Sequence, residues 1–362
     1  MKVLKQKIAS GHWIRIPLFS VLISFVFTGC NLIGGSGPSG VLKTVDNGTT
    51  WQLSNAIRNS QSNISGLNVT KIYIDPKNNA DVYLSSTNNG LWQSEDNGQS
   101  WEQILNKISA YGFYVDPNNS SDIFVSGIFA SHGKIVRSTD SGKTWDSAYN
   151  EASVNNPVVA IAGNPDKQGE IYAALSSGQL IKSLDNGANW FIIYDFKTPI
   201  RDIQYSKVNG GLYVLLRTAG VAESTDGGNN WTYITSKLTK VYANINSYVP
   251  AGFSSFEKMA IDGSSRGVVF LTTSNGLFKT TDNGRNWDFI NLPIRRTEDL
   301  PRAIAESKGG MIAYTSIGNT IYQSDDSGQS WATQVIPSSA EVNAIAIDPV
   351  LSQAAYAGLG SK

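Results

Sequence analysis

One nine-residue phrase recurs seven times along this chain of 362 residues: KTVDNGTTW (43–51), QSEDNGQSW (93–101), RSTDSGKTW (137–145), KSLDNGANW (182–190), ESTDGGNNW (223–231), KTTDNGRNW (279–287) and QSDDSGQSW (323–331). Its common parts read Ser/Thr-x-Asp-x-Gly-x-x-Trp. The aspartates Asp46, Asp96, Asp140, Asp185, Asp226, Asp282 and Asp326 fall 50, 44, 45, 41, 56 and 44 residues apart. Self-similarity at this period belongs to solenoids and propellers, in which one small unit is built repeatedly and buried against its neighbours.

The text between the phrases selects the propeller. In residues 69–101 a short apolar segment, KIYID, ends at a Pro/Asn-rich turn. A second, DVYLSS, ends at TNNG; a third, LWQSE, runs into the phrase; a fourth begins at Trp101. Four short strands separated by turn residues are the plan of a propeller blade, and it returns in 112–127, 160–187 and 258–284. The phrase therefore occupies the hairpin between the third and fourth strands. Its Asp accepts from turn N–H groups that the ladder leaves unpaired, its Gly supplies a positive φ without steric cost, and Trp51, Trp101, Trp145, Trp190, Trp231, Trp287 and Trp331 start the outer strands with a ring to pack on the next blade. These residues read as structural clamps.

The pattern resembles the Asp-box, or BNR, repeat of sialidases, sortilin-type propellers, xyloglucanases and photosystem II assembly factors, over residues 40–360. The resemblance implies an all-β fold, a single seven-bladed β-propeller of four-stranded blades. It says little of activity, because the motif serves enzymes and scaffolds alike. The chain ends supply the closure. AAYAGLGS at the C-terminus followed by GVLKTVDNG near the N-terminus writes one complete unit, so the closing blade is expected to be shared between the termini, leaving no long free edge.

The first 29 residues differ in kind. Lys2, Lys5, Lys7 and Arg15 precede the apolar run IPLFSVLISFVF, which is shorter than a spanning helix and ends in TGC; a basic segment, an apolar core and a small-residue cleavage site form an export signal. FTGC resembles the lipobox of bacterial lipoproteins, with Phe27 where Leu is commoner, and implies lipidation of Cys30. An ordinary secretory signal with an incidental cysteine is the alternative. The expected organisation is a lipoprotein signal (1–29), a tether (30–39) and the propeller (40–362), held at a membrane by its lipid on the periplasmic or extracellular side. Asn31 after the cysteine favours the outer membrane where a cell has one. Removing the signal takes four cations from 29 and no acid, leaving 25 against 29 acids, a net charge of −4. That excludes the strongly basic character of nucleic-acid binders. With Cys30 the only cysteine and His132 the only histidine beyond the signal, no metal site, cofactor or internal disulfide is expected.

Aligning the inner strands places one residue per blade at one mouth of the channel: Thr70, Tyr111, Val159, Arg201, Glu257, Arg302 and Asn343, with Lys71, Asp202 and Lys258 beside them. Such a rim reads either as a solvated ring with local ion pairs or as an anion- or peptide-binding ring led by Arg201 and Arg302, whose guanidinium groups suit carboxylates. The longest connection, 232–255, carries Tyr242, Tyr248, Pro250 and Phe253, which read either as a candidate aromatic loop for protein or sugar or as rings that pack the loop onto blades five and six. Arg295, Arg296, Glu298 and Asp299 read as a self-neutralising surface cluster.

Two classes of function compete. A non-catalytic scaffold would present its rim to an envelope protein or exported polypeptide, as a monomer. A carbohydrate-binding protein or glycoside hydrolase is the alternative. Against hydrolysis, the IRIP at 14–17 that mimics a sialidase arginine motif lies inside the signal, and the sialidase resemblance implies six blades where seven are counted. The xyloglucanase resemblance implies two catalytic aspartates between two propellers, where this chain has room for one. Asp202 and Glu257 are the only acids at the rim that could form a hydrolytic pair.

Overall fold

The computed structural model describes residues 39–238, 255–262, 264–293, 300–307 and 309–360. The expected export signal, Cys30 and most of the tether, the loop residues Tyr242, Tyr248, Pro250 and Phe253, and the 295–299 charge cluster lie outside these residues. The described residues form seven antiparallel four-stranded sheets. Blades 1 to 6 take residues 69–105, 109–154, 158–195, 200–233, 256–290 and 301–335. Successive first strands lie side by side, and the seventh returns to the first, which closes the ring.

Blade 7 is built from both ends of the chain. Its inner strands are Glu341–Ile347 and Ala355–Gly360; its outer strands are Val41–Thr44 and Gln52–Leu53. The seam pairs Val41 with Gly358 and Thr44 with Ala355, antiparallel. The closure is thus a four-residue backbone ladder.

Each sheet is too small to bury a core alone, so the core is divided among the blade interfaces. Seven apolar clusters occur, one at each interface. The second strand of every blade contributes one aromatic ring that is at most 1% exposed: Tyr83, Phe124, Tyr172, Tyr213, Phe270, Tyr314 and Tyr356.

The repeated phrase does what its residues dictate. In blade 1 the Asp96 carboxylate accepts from the Ser94 hydroxyl (2.7 Å), the Ser100 N–H (2.8 Å) and the Ser100 hydroxyl (2.6 Å), while Gly98 N–H donates to Ser94 Oγ at 2.8 Å. Asp140 and Asp282 repeat the pattern with Thr144 and Asn286. The glycine is required twice over. Gly98 has φ 77°, and a Cβ there would lie 2.6 Å from the Tyr356 ring of the preceding blade. In four of the seven copies the tryptophan then reaches back to that blade: the indole N–H donates to the carbonyl of Ser54 from Trp101 (2.6 Å), Ile104 from Trp145 (2.8 Å), Ala148 from Trp190 (3.1 Å) and Ile234 from Trp287 (3.0 Å).

The connection expected over 232–255 begins later than its sequence suggests. Thr232–Tyr233 is the outer strand of blade 4, paired with Ala222 and Glu223. Two residues carry too little periodicity to read as a strand.

Blade 6 departs from the repeat in its interior. Four residues beyond the rim position, where the other first strands carry Ile74, Val115, Gly163, Tyr205, Ile261 and Ile347, it carries Glu306. Among the described residues neither carboxyl oxygen of Glu306 has a hydrogen-bond partner, nor does Asp262 Oδ2 in blade 5. Two of the matching aspartates are capped from the next blade, Asp348 by Asn79 at 2.8 Å and Asp75 by Ser120. The residue in register with those donors in blade 6 is Gly310, which has no side chain to offer. Burial, with the Asp262 carboxylate adding to it, pushes the Glu306 carboxyl up to about 9 against the pull of Lys279, so at neutral pH this acid is protonated.

Candidate functional site

The channel mouth is set by a backbone irregularity repeated seven times. In each first strand the pairing with the second strand skips one residue. The breaks lie between Val69 and Lys71, Ala110 and Gly112, Val158 and Ala160, Ile200 and Asp202, Phe256 and Lys258, Pro301 and Ala303, and Val342 and Ala344. The skipped residues are Thr70, Tyr111, Val159, Arg201, Glu257, Arg302 and Asn343. A bulged residue lies out of register with the ladder, and its side chain is re-aimed. All seven line one opening of about 530 Å³, together with Asn68, Arg217 and Lys258.

One step further along each strand lies a second layer: Lys71, Gly112, Ala160, Asp202, Lys258, Ala303 and Ala344, around a narrower space of about 240 Å³. Small side chains at four of these seven positions leave room for the charged ones. The Lys71 ammonium donates to the Phe113 carbonyl at 3.1 Å and lies over the Phe113 ring at 5.5 Å. Desolvation lowers its pKa, Asp202 opposing and Lys258 adding to the shift. Asp202 accepts from Ile203 N–H at 2.9 Å and from Gln204 Nε2 at 2.9 Å.

The rim acids are engaged by neighbours. Glu257 meets the Arg201 guanidinium at 3.1 Å and accepts from the Ser255 hydroxyl at 2.5 Å. Arg302 Nε lies 2.8 Å from Glu341, a largely buried carboxylate. The two guanidinium groups stay partly exposed, with 34% and 46% of their side-chain surface open. Counting Lys71, Arg201, Arg217, Lys258 and Arg302 against Asp202, Glu257 and Glu341, cations exceed acids by two at the mouth. The chain beyond the expected signal is net negative, so the positive mouth is a local feature and attracts anionic groups.

Every rim residue proposed from sequence that is described lies at these two layers. Arg217 and Glu341 were missed. Arg217 sits in the turn between the second and third strands of blade 4, outside the inner-strand alignment. Glu341 begins the first strand of blade 7, two residues before the aligned Asn343, and only its contact with Arg302 reveals it. Among the described residues no group of three or more His, Cys, Asp and Glu side chains gathers as a metal site, and no helix is long and apolar enough to cross a membrane.

Comparison with known proteins agrees with the fold. Residues 190–360 match the family model described as photosynthesis system II assembly factor YCF48. In sequence the chain is similar to a xyloglucanase of Paenibacillus sp (23% identical, 71% of this chain, 24% of that protein) and to xyloglucanase Xgh74A of Acetivibrio thermocellus (24% identical, 69% and 28%). It spans about a quarter of the length of these curated relatives. Among solved structures it resembles the GH74 xyloglucanase from Xanthomonas campestris (TM-score 0.65, 17% identity, 81% of this chain and 51% of that one). It also resembles YCF48 bound to a D1 peptide (TM-score 0.60, 14% identity, 81% and 93%). The chain is a seven-bladed Asp-box propeller similar to both groups.

Proposed function

We propose that this protein is a non-catalytic binding scaffold whose channel mouth holds a polypeptide segment. The observation that carries the reading is the ring of seven bulged residues converging on one net-positive opening, with its acids already bonded to neighbours. An extended chain carrying acidic side chains would find Arg201, Arg302, Arg217 and Lys258 around it, with the Tyr111 ring as an apolar contact. Guanidinium groups bind carboxylates in bidentate fashion. The likeness to YCF48, solved with a peptide, supports a protein partner. In the same reading Cys30 carries a lipid and the tether keeps the disc close to the membrane, where an envelope protein or exported chain is the partner.

Glycan binding or hydrolysis is the second reading, favoured by the xyloglucanase likeness. It asks two carboxyl groups to act on one sugar bond, whereas Asp202 and Glu257 are each occupied. Capture of partners from solubilised native membranes separates the readings. The wild-type protein should retain a polypeptide that an Arg201→Ala, Glu257→Ala, Arg302→Ala variant of equal melting temperature loses. Release of reducing ends from xyloglucan by the wild type and not by Asp202→Asn would establish the second reading.

A further inference from the structure

The Asp-box side of the ring holds a separate cationic notch. Its position follows from strand length. The outer strand of blade 4 has two residues, whereas that of blade 2 has nine. A short outer strand leaves the flank of the next blade uncovered. Only one other outer strand is that short, Gln52–Leu53 of blade 7, and a notch of about 300 Å³ opens there too. The notch beside blade 5 is larger, about 560 Å³, and is lined by Lys237, Arg266 and Arg285, with Asp282 the one acid among the described residues around it.

The repeat shows how unusual these cations are. In register with Arg266 the other blades carry Asn79, Ser120, Gln168, Asn209, Gly310 and Ser352, all neutral. In register with Arg285 only Lys143 is charged. Lys143 belongs to blade 2, whose preceding outer strand, Glu102–Leu105, runs four residues. None of Lys237, Arg266 and Arg285 has a carboxylate within salt-bridge distance among the described residues. Asp282 cannot neutralise them freely. Its oxygens accept from Thr280 Oγ1 (2.9 Å), Asn286 N–H (2.8 Å) and Asn286 Nδ2 (2.6 Å). Glu223 behind the notch is buried and bonded to Asn283, Tyr213 and Asn209. Cations exceed acids by two at the surface of the notch.

We propose that this notch binds a tetrahedral oxyanion group, a phosphate or sulfate ester. Two planar guanidinium forks and one ammonium supply only donors. The local excess of two positive charges matches a dianionic phosphate, and forks of this kind bind such oxygens in pairs. The site is independent of the channel mouth. Glu257 is the second residue of the first strand of blade 5, at the mouth, and Arg266 lies in the turn beyond the far end of that strand.

Calorimetry with inorganic phosphate and inorganic sulfate, at low ionic strength with chloride as the control, tests the site. The wild type should bind one of them saturably. An Arg266→Gln, Arg285→Gln variant of unchanged melting temperature should bind at least about tenfold more weakly, each guanidinium–phosphate pair being a charge-assisted contact. Lys143→Gln, in the same register of blade 2, should bind like the wild type. Sedimentation with phosphatidic acid vesicles, against phosphatidylcholine vesicles, then identifies the source. Wild-type pelleting lost in the double arginine variant assigns the group to a lipid headgroup; phosphate binding without pelleting assigns it to a soluble ester. Absence of saturable binding to either anion overturns the proposal. So does equal binding by the double arginine variant, or an equal loss in Lys143→Gln.

Discussion

Glu306 is the residue at which this fold works against itself, and the size of the effect can be worked from its surroundings. The carboxyl is pushed from its ordinary value of 4.5 up to about 9 by burial against Asp262, and no donor among the described residues satisfies it. Between those two values the folded protein holds a proton that the unfolded chain releases. Stability is therefore fully present below the unfolded value and falls as pH rises towards the folded one, by about 1.4 kcal/mol per pH unit. By neutral pH the loss is on the order of 3 kcal/mol. Glu306→Gln keeps the shape and removes the titration. Urea unfolding of both proteins at mildly acidic and mildly alkaline pH measures this directly. The two should be close in stability near the acid end, and the variant should gain steadily on the wild type as pH rises. Every other titrating group is common to both proteins, so the difference isolates Glu306. Parallel pH profiles would refute the reasoning and place the carboxyl in contact with solvent.

Three further outcomes follow from the clamps and the seam. Trp101 is fully buried and bonded to Ser54, so Trp101→Ala should cost about 3–5 kcal/mol in denaturant unfolding, and the half-buried Trp331 distinctly less. The Asp-box carboxylates of Asp140, Asp226 and Asp326 are held at about 2 by Thr144, Asn230 and Ser330. A depressed carboxylate contributes stability above its unfolded value that is lost as pH falls towards the folded one. Melting temperature should thus drop between about pH 4 and pH 2, with a shallower drop in Asp140→Asn. Removing residues 341–362 deletes the first two strands of blade 7 and the partner of Val41–Thr44. Cooperative unfolding should be lost, and an unchanged melting curve would show that the ring does not depend on its seam.

The architecture was legible because a repeat states its own period seven times. Two of its details lie in the repeated phrase itself. The residue after each Asp (Asn47, Asn97, Ser141, Asn186, Gly227, Asn283, Ser327) has a positive φ between 54° and 76°, a conformation that Asn and Gly tolerate. The residue before each Trp is Ser, Thr or Asn because its side chain donates to the carboxylate. The rim was legible in part. Aligning first strands found the seven mouth positions, but nothing in a sequence of short strands announces a bulge, which is a mismatch between two strands. Arg217 and Glu341 escaped because their roles arise from contacts across blades. The cationic notch was hidden for the same reason: Arg266 and Arg285 are unremarkable turn residues until a two-residue strand in the preceding blade exposes them.

The claim that matters most is that the channel mouth is a binding surface for a polypeptide. The decisive measurement is quantitative mass spectrometry of proteins retained from solubilised native membranes by the wild type and by the Arg201→Ala, Glu257→Ala, Arg302→Ala variant at matched melting temperature. A polypeptide enriched by the wild type and lost from the variant is the predicted result. Identical retention by both proteins would contradict the account.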